Sequence, residues 1–352
     1  MQSILKNERL FRIFIPILAV VLGLLVGAII MLVSGYNPIK GYVALFDGIV
    51  GDPYVIGETI RAMTPLILSG LAVAFAFRTG LFNIGVEGQL LVGWLASVWV
   101  GVAFDLPKII HLPLAILAAA AAGALWGFIP GLLKAKLRVH EVIVTIMLNY
   151  VALHVTNFLI RTYLLAPGER TDKIKQSASL ASENLMAMTE FSRLHYGIIV
   201  AIIGAVIMWF LIERTTKGYE LKSVGYNQHA SQYAGMNVST NIILSMVISG
   251  AFAGVAGAME GLGTYQYMTI NGSFTGQGFD GIAVALLGAN NAFGIIFASL
   301  LFGGLKIGAL TMQSAAKVPT ELVEIVIALI IFFVASSYII RLVISRLNKE
   351  GK

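Results

Sequence analysis

Long apolar runs alternate along the chain with short polar interruptions, and the runs approach the length of about 20 residues that a helix needs to cross a bilayer core. Ten spans are expected, at residues 14–33, 59–77, 86–104, 112–133, 141–164, 196–212, 240–262, 279–290, 293–311 and 320–342. The pattern predicts an all-α polytopic membrane protein, one transmembrane domain over residues 1–352, with about ten transmembrane helices, some of them short or broken. Two interruptions are long, 165–195 and 213–239.

An even number of spans puts both termini on one side, and the distribution of Lys and Arg names that side. Lys6, Arg9 and Arg12, then Lys134, Lys136 and Arg138, then Arg214, Lys217 and Lys222, and finally Arg341, Arg346, Lys349 and Lys352 all fall on the face that carries the termini. Basic loops stay inside, so both termini and the 213–239 loop are expected in the cytoplasm and the 165–195 loop outside. That outer loop carries Arg170, Lys173, Lys175 and Arg193 against the rule, set against Glu169, Asp172, Glu183 and Glu190. The first run is read as a retained helix rather than a cleaved leader, since it is long enough to span.

Composition sharpens this picture. The chain is 58% apolar and 12% charged, with a mean hydropathy of +0.86, which is bilayer chemistry. The net charge of +6 is accounted for by basic residues at span ends and does not call for nucleic acid. The absence of cysteine excludes disulfides and thiolate metal sites. No phosphate-binding G-x-x-x-x-G-K-[ST] run is present, and HEVIVT from His140 lacks the second histidine of a zinc protease. An enzyme is disfavoured, which leaves a transporter or a channel.

Three stretches interrupt the apolar pattern with chemistry. Phe77 to Gln89 sets Arg78, Asn83, Glu87 and Gln89 among glycines, and irregular backbone at membrane depth must face protein or a cavity. Asn83 and Glu87 either line or brace a translocation path, or Glu87 only satisfies backbone amides in a tight turn. Thr264 to Asn291 is broken by five glycines around a run too short to span, as expected of a half-length or re-entrant helix with Asp280 near its N-terminus. Glu260, at the end of a span rich in small residues, would either meet a solute or partner or snorkel to the surface. The hexapeptides GLAVAF (70–75) and GIAVAL (281–286) resemble one another. In the 213–239 loop, Asn227 suits an N-cap, Ala230, Tyr233 and Ala234 share one face, and Gly235 suits a left-handed stop. So short a helix needs a partner surface, which is the shape of a transmission element, although an ordinary solvated loop would show the same pattern.

The runs GLFNIGVEGQLLVG (80–93), EVIVTIMLNY (141–150) and GYNQHASQYAGMN (225–237) together resemble the permease subunits of bacterial ABC importers, in the branched-chain amino acid, ribose and nucleoside permease family. The first run is most similar to the nucleoside (simple-sugar) branch. The resemblance implies a multi-pass permease subunit of an ATP-driven importer in the bacterial cytoplasmic (inner) membrane, carrying nucleosides. It implies a cytosolic ABC ATPase, a second permease subunit, homologous or identical, and an extracytoplasmic solute-binding protein as partners, with membrane lipid around the chain and no nucleic acid. No cofactor is expected on this chain, with ATP and magnesium on the ATPase. Carried over residue by residue, ATPase coupling falls on Asn227, His229, Ala230, Tyr233, Ala234 and Gly235. Where broader ABC permeases show an EAA run this chain has His229, Ala230 and Ser231. For a nucleoside cargo, Asn83, Glu87, Asn149, Tyr150, Gln266 and Asn271 are the candidates for the translocation path. The alternatives are a permease of the same type for simple sugars or branched-chain amino acids, an ion-coupled secondary transporter, and a passive channel.

Overall fold

Each of the ten apolar runs folds as a helix in the computed structural model, which describes residues 8–335. The helices are α1 (Glu8–Val33), α2 (Pro38–Val50), α3 (Pro53–Arg78), α4 (Val86–Ala103), α5 (Lys108–Leu137), α6 (Glu141–Leu159), α7 (Glu183–Met188), α8 (Gly197–Arg214), α9 (Thr216–Tyr226), α10 (Gln228–Tyr233), α11 (Val238–Ala258), α12 (Gln277–Leu287), α13 (Ala292–Ala316) and α14 (Thr320–Ala335). A π-helical turn continues α6 over Ile160–Leu164 and another continues α11 over Met259–Thr264. Among the described residues, seven helices are long and apolar enough to cross a membrane, and α12 is a shorter apolar helix. At 1.5 Å per residue α12 reaches about 17 Å, half a bilayer core. The end of the expected span at 320–342, with Lys6 and the basic residues from Arg341 on, lies outside the described residues.

α2 and α9 are among the helices that escaped the apolar pattern. α2 is short, and it begins where Asn37 Oδ1 accepts from the Ile39 and Lys40 amides ahead of Pro38. α9 is polar overall, but Thr215 caps it by accepting from Gly218, and Gly218, Leu221 and Val224 turn one face inward. A third difference is the start of α3, expected at residue 59 and found at Pro53, which draws Glu58 into a buried position.

The chain divides into two compact units, residues 1–55 with 304–352 and residues 56–303. In the first, α1 meets α14 through small residues: a Cβ on Gly23 would stand 2.5 Å from Ile330, and one on Gly27 2.5 Å from Val326.

The second unit is built on three helices in backbone contact. A Cβ on Gly250 would meet the Gly123 carbonyl oxygen, one on Gly254 the Ala119 carbonyl oxygen, and one on Gly257 the Leu90 carbonyl oxygen. The small-residue stripes of α4, α5 and α11 therefore act as a close-packing seam, which supplies dispersion contact where lipid leaves little hydrophobic drive. α3 lies buried in the same unit, with Leu66, Ile67, Leu71 and Phe75 inaccessible to solvent. The two similar hexapeptides face one another where α3 crosses α12. A Cβ on Gly70 would lie 2.8 Å from Val284, and one on Gly281 2.7 Å from Ser69.

Candidate functional site

The chain breaks between α3 and α4, and the break is held from three sides. After Arg78 the backbone turns through Gly80, whose φ of +76° is the left-handed region that glycine enters without strain. Asn83 follows with no exposed surface. Its Nδ2 donates to Gln89 Oε1 at 2.8 Å and to Ser249 Oγ of α11 at 2.8 Å, while its Oδ1 accepts from the Gly85 amide at 3.0 Å. Ser249 Oγ in turn donates to the Ala72 carbonyl of α3 at 2.6 Å. From α6, Asn149 Oδ1 accepts from the Gly88 amide at 2.8 Å and its Nδ2 donates to the Ile84 carbonyl at 3.0 Å. Backbone groups that a helix break would orphan in a membrane are satisfied by side-chain amides.

Glu87 reaches the other way. Its Oε1 accepts from the Thr275 amide at 2.7 Å, from Thr275 Oγ1 at 2.7 Å and from the Gly276 amide at 3.0 Å, and its Oε2 accepts from the Gly278 amide at 2.7 Å. These donors form the N-terminus of α12, where a carboxylate is favoured by the free amides and the helix dipole. Gly278 permits the approach, since a Cβ there would stand 2.5 Å from the Glu87 Cα. Glu87 does bond to backbone amides, but to those of a segment far along the chain rather than to its own turn.

The six expected path residues fall in three places. Asn83, Glu87 and Asn149 converge on the break and are buried. Tyr150, next to Asn149, points the opposite way: it is 51% exposed, with its ring edge-on to Phe274 at 5.0 Å. Gln266 and Asn271 sit on the segment leading into α12. Gln266 donates to Ser179 Oγ at 3.1 Å, and Asn271 exchanges backbone bonds with the Asn157 amide at 2.7 and 3.0 Å.

An ionic cluster that the apolar pattern concealed stands on α3. Glu58, 4% exposed, bonds to Arg61 at 2.7 Å and to Arg193 at 3.0 Å, and its Oε1 accepts from the Arg193 amide at 2.8 Å. The Arg193 charge is thus met by a carboxylate of α3, far from its own loop in the chain. Beside the cluster His195 is buried, and its Nδ1 accepts from the Gly197 amide at 3.1 Å. Burial, with the Arg61 charge adding to it, pushes the imidazole down to about 4, so it is neutral near pH 7. Glu260 does not snorkel: it is 1% exposed in the π-helical turn and accepts from Gln277 Nε2 at 2.9 Å. The i, i+3 spacing of Glu58 and Arg61 was a sequence signal for part of this cluster; Arg193 and Gln277 gave none.

The second feature is α10. Asn227 Oδ1 accepts from the Ala230 amide at 3.0 Å, and Gly235 closes the helix with φ of +85°. Of the six coupling candidates, Asn227, His229, Ala230, Tyr233, Ala234 and Gly235 are all exposed, Tyr233 at 95%. Only Ser231 of α10 is buried. Lys134, Arg138, Gln228, His229 and Gln232 line a polar groove of about 830 Å3 between α5 and α10. α9 anchors the hairpin: Glu213 bonds to Arg78 and to Lys222, and Glu220, held below the usual carboxylate range by the Lys217 ammonium and then the Asn241 amide, ties α9 to α11.

A family model described as "Branched-chain amino acid transport system / permease component" matches residues 55–335. The guanosine ABC transporter permease protein NupP of Bacillus subtilis is 65% identical over 344 residues, covering 98% of this chain and 99% of that protein. The nucleoside ABC transporter permease protein NupB of Lactococcus lactis is 43% identical over 347 residues, covering 97% and 95%. A second Bacillus subtilis protein, the guanosine ABC transporter permease protein NupQ, is 30% identical over 256 residues, covering 71% and 79%.

Proposed function

This chain belongs to the branched-chain amino acid transport system permease family, and from that premise we propose that it is the permease subunit of an ATP-driven importer of nucleosides, guanosine among them. A cytosolic ABC ATPase holds ATP and magnesium and docks on α10, an extracytoplasmic protein delivers the solute, and a second permease chain completes the pathway. The substrate reading rests on the relatives' nucleoside cargo. Similarity to two guanosine permeases of one organism favours a homologous rather than an identical second chain.

The observation that carries the mechanism is the exposure of α10. A helix of six residues is too short to hold itself in water, yet it turns Tyr233 and His229 outward and leaves Tyr226 89% exposed beside it. A surface of that kind is expected to be covered in an assembly. Lys134, Arg138 and His229 at the same end agree with the excess of basic residues that marks the cytoplasmic side, so both termini are assigned there. On the path, the Tyr150 and Phe274 rings offer a stacking surface for a base, and Gln266 and Asn271 offer amides for ribose hydroxyls, while Asn83, Glu87 and Asn149 brace the walls.

The test is uptake of radiolabelled guanosine by cells lacking this chain, restored with wild type or with Tyr233→Arg combined with Gly235→Pro. Energy-dependent uptake with wild type, and none with a double variant that reaches the membrane in equal amount, supports the importer with α10 as its docking element. Equal uptake by both forms overturns the docking role. Uptake that persists in cells deleted for the ATPase overturns the importer itself.

A further inference from the structure

The geometry points to Glu87 as a positioning residue of the transport cycle: its carboxylate latches the half-length helix α12 to the α3–α4 break, and the Gly80–Gly225 contact carries motion of the α9–α10 hairpin into that latch. The inference rests on the importer reading and adds the link between the docking helix and the membrane interior.

The link is continuous and covalently short. α9 ends one residue before the Asn227 cap of α10, so displacement of α10 displaces Gly225. A Cβ on Gly225 would stand 2.6 Å from the Thr79 carbonyl carbon and 2.7 Å from the Gly80 amide nitrogen. The two backbones therefore touch with no side chain between them to absorb a shift, and close-packed interiors transmit such shifts. From Gly80 the chain runs through the Asn83 turn to Glu87. There every contact on the carboxylate is a donor, three backbone amides and one hydroxyl, all from Thr275 to Gly278.

α12 suits the moving part. It spans only half a bilayer, and its entry turns on Gly276 at φ of +81° with open space around that residue. Its far side meets α3 through the Gly70 and Gly281 contacts described above. α12 is consequently gripped through the backbone amides of its N-terminus by a side chain that also belongs to the break, with Glu260 holding the Gln277 side chain beside it. A two-state element needs a grip of this kind, one that can be made in one state and released in the other.

Glu87→Gln tests the latch, because it keeps the shape and replaces one acceptor oxygen with an amide that points N–H groups at N–H groups. The assembled transporter, with its ATPase, second permease and binding protein, is placed in proteoliposomes, and guanosine uptake and ATP hydrolysis are measured on the same preparation. The latch predicts ATP hydrolysis within about twofold of wild type and uptake lowered by about tenfold or more, the factor expected for loss of a charge-assisted hydrogen bond. A residue that only supports the fold would lower both together, by reducing the amount assembled, and leave solute moved per ATP unchanged. That outcome, or an unchanged uptake, overturns the proposal. If Glu87→Gln does not assemble, Thr275→Val removes one donor of the four and leaves the backbone intact, and the same ratio must fall by about threefold. An unchanged ratio for Thr275→Val then overturns the proposal. Co-purification of the ATPase with the wild-type chain is measured first, and its failure counts against the importer reading and not against the latch.

Discussion

Gly80 and Gly225 meet backbone to backbone: a Cβ on Gly80 would lie 2.5 Å from the Gly225 Cα. This contact joins the turn after α3 to the end of α9, beside the ionic links of Glu213 to Arg78 and Lys222. Gly80 is doubly constrained, by its positive φ and by that contact. Gly225 is constrained by space alone.

Gly225→Ala is therefore expected to cost about 1–3 kcal/mol through overpacking. Thermal unfolding in detergent micelles, followed by tryptophan fluorescence, measures it. A midpoint equal to wild type would mean that α9 can retreat without cost.

α10 should behave in the opposite way. Tyr233→Asp touches no packed neighbour, since the ring is 95% exposed, so stability should change by less than about 0.5 kcal/mol. Retention of the ATPase on affinity-tagged permease should nevertheless fall by about tenfold or more, as for a central aromatic at an interface. Gly235→Ala has room for its methyl group and meets only the left-handed backbone penalty, about 1 kcal/mol.

The two ends of the Glu58–Arg193 pair should differ in weight. Glu58 has 5% of its side-chain surface exposed and Arg193 has 53%. Glu58→Ala leaves Arg61 without its buried partner and should cost about 3 kcal/mol or more. Arg193→Ala opens toward water and should cost about 1 kcal/mol. Equal losses in chemical denaturation would contradict this asymmetry.

His195 gives a pH dependence whose sign follows from its burial. The imidazole falls from its ordinary value of 6.5 to about 4 on folding, so the unfolded chain takes up the proton first. The stability is present in full above about pH 6.5 and is lost progressively as pH falls toward 4, by about 3 kcal/mol. His195→Gln should remove that part of the acid slope. Melting temperatures of the two forms, compared from pH 7 to pH 4, measure it, and parallel curves would refute the assignment.

The local features of this protein were legible in the chain. Apolar runs separated by short polar turns are dictated by bilayer thickness and backbone hydrogen bonding, so α1, α4, α5, α6, α8 and α11 stand where the pattern predicts them. The Asn227 cap and Gly235 stop are equally local, since each is set by one residue's own backbone and its nearest amides. α2 and α7 escape the pattern because they are short, and α9 because it is polar and holds its place by the one face it turns inward. The orientation of neighbours was also beyond pattern: adjacent Asn149 and Tyr150 were read as one kind of residue, and the fold buries the first and exposes the second.

The sequence by itself determined the membrane class, the long apolar helices and the capped turn from Asn227 to Gly235, because hydropathy and capping act over a few residues. Only the tertiary structure decided which amides Glu87 would hold, that Glu58 would pair with Arg193, and that Gly80 would rest on Gly225. Those choices depend on which distant segments the close-packed helices bring within hydrogen-bond reach. No residue type or spacing carries that information before the chain has folded.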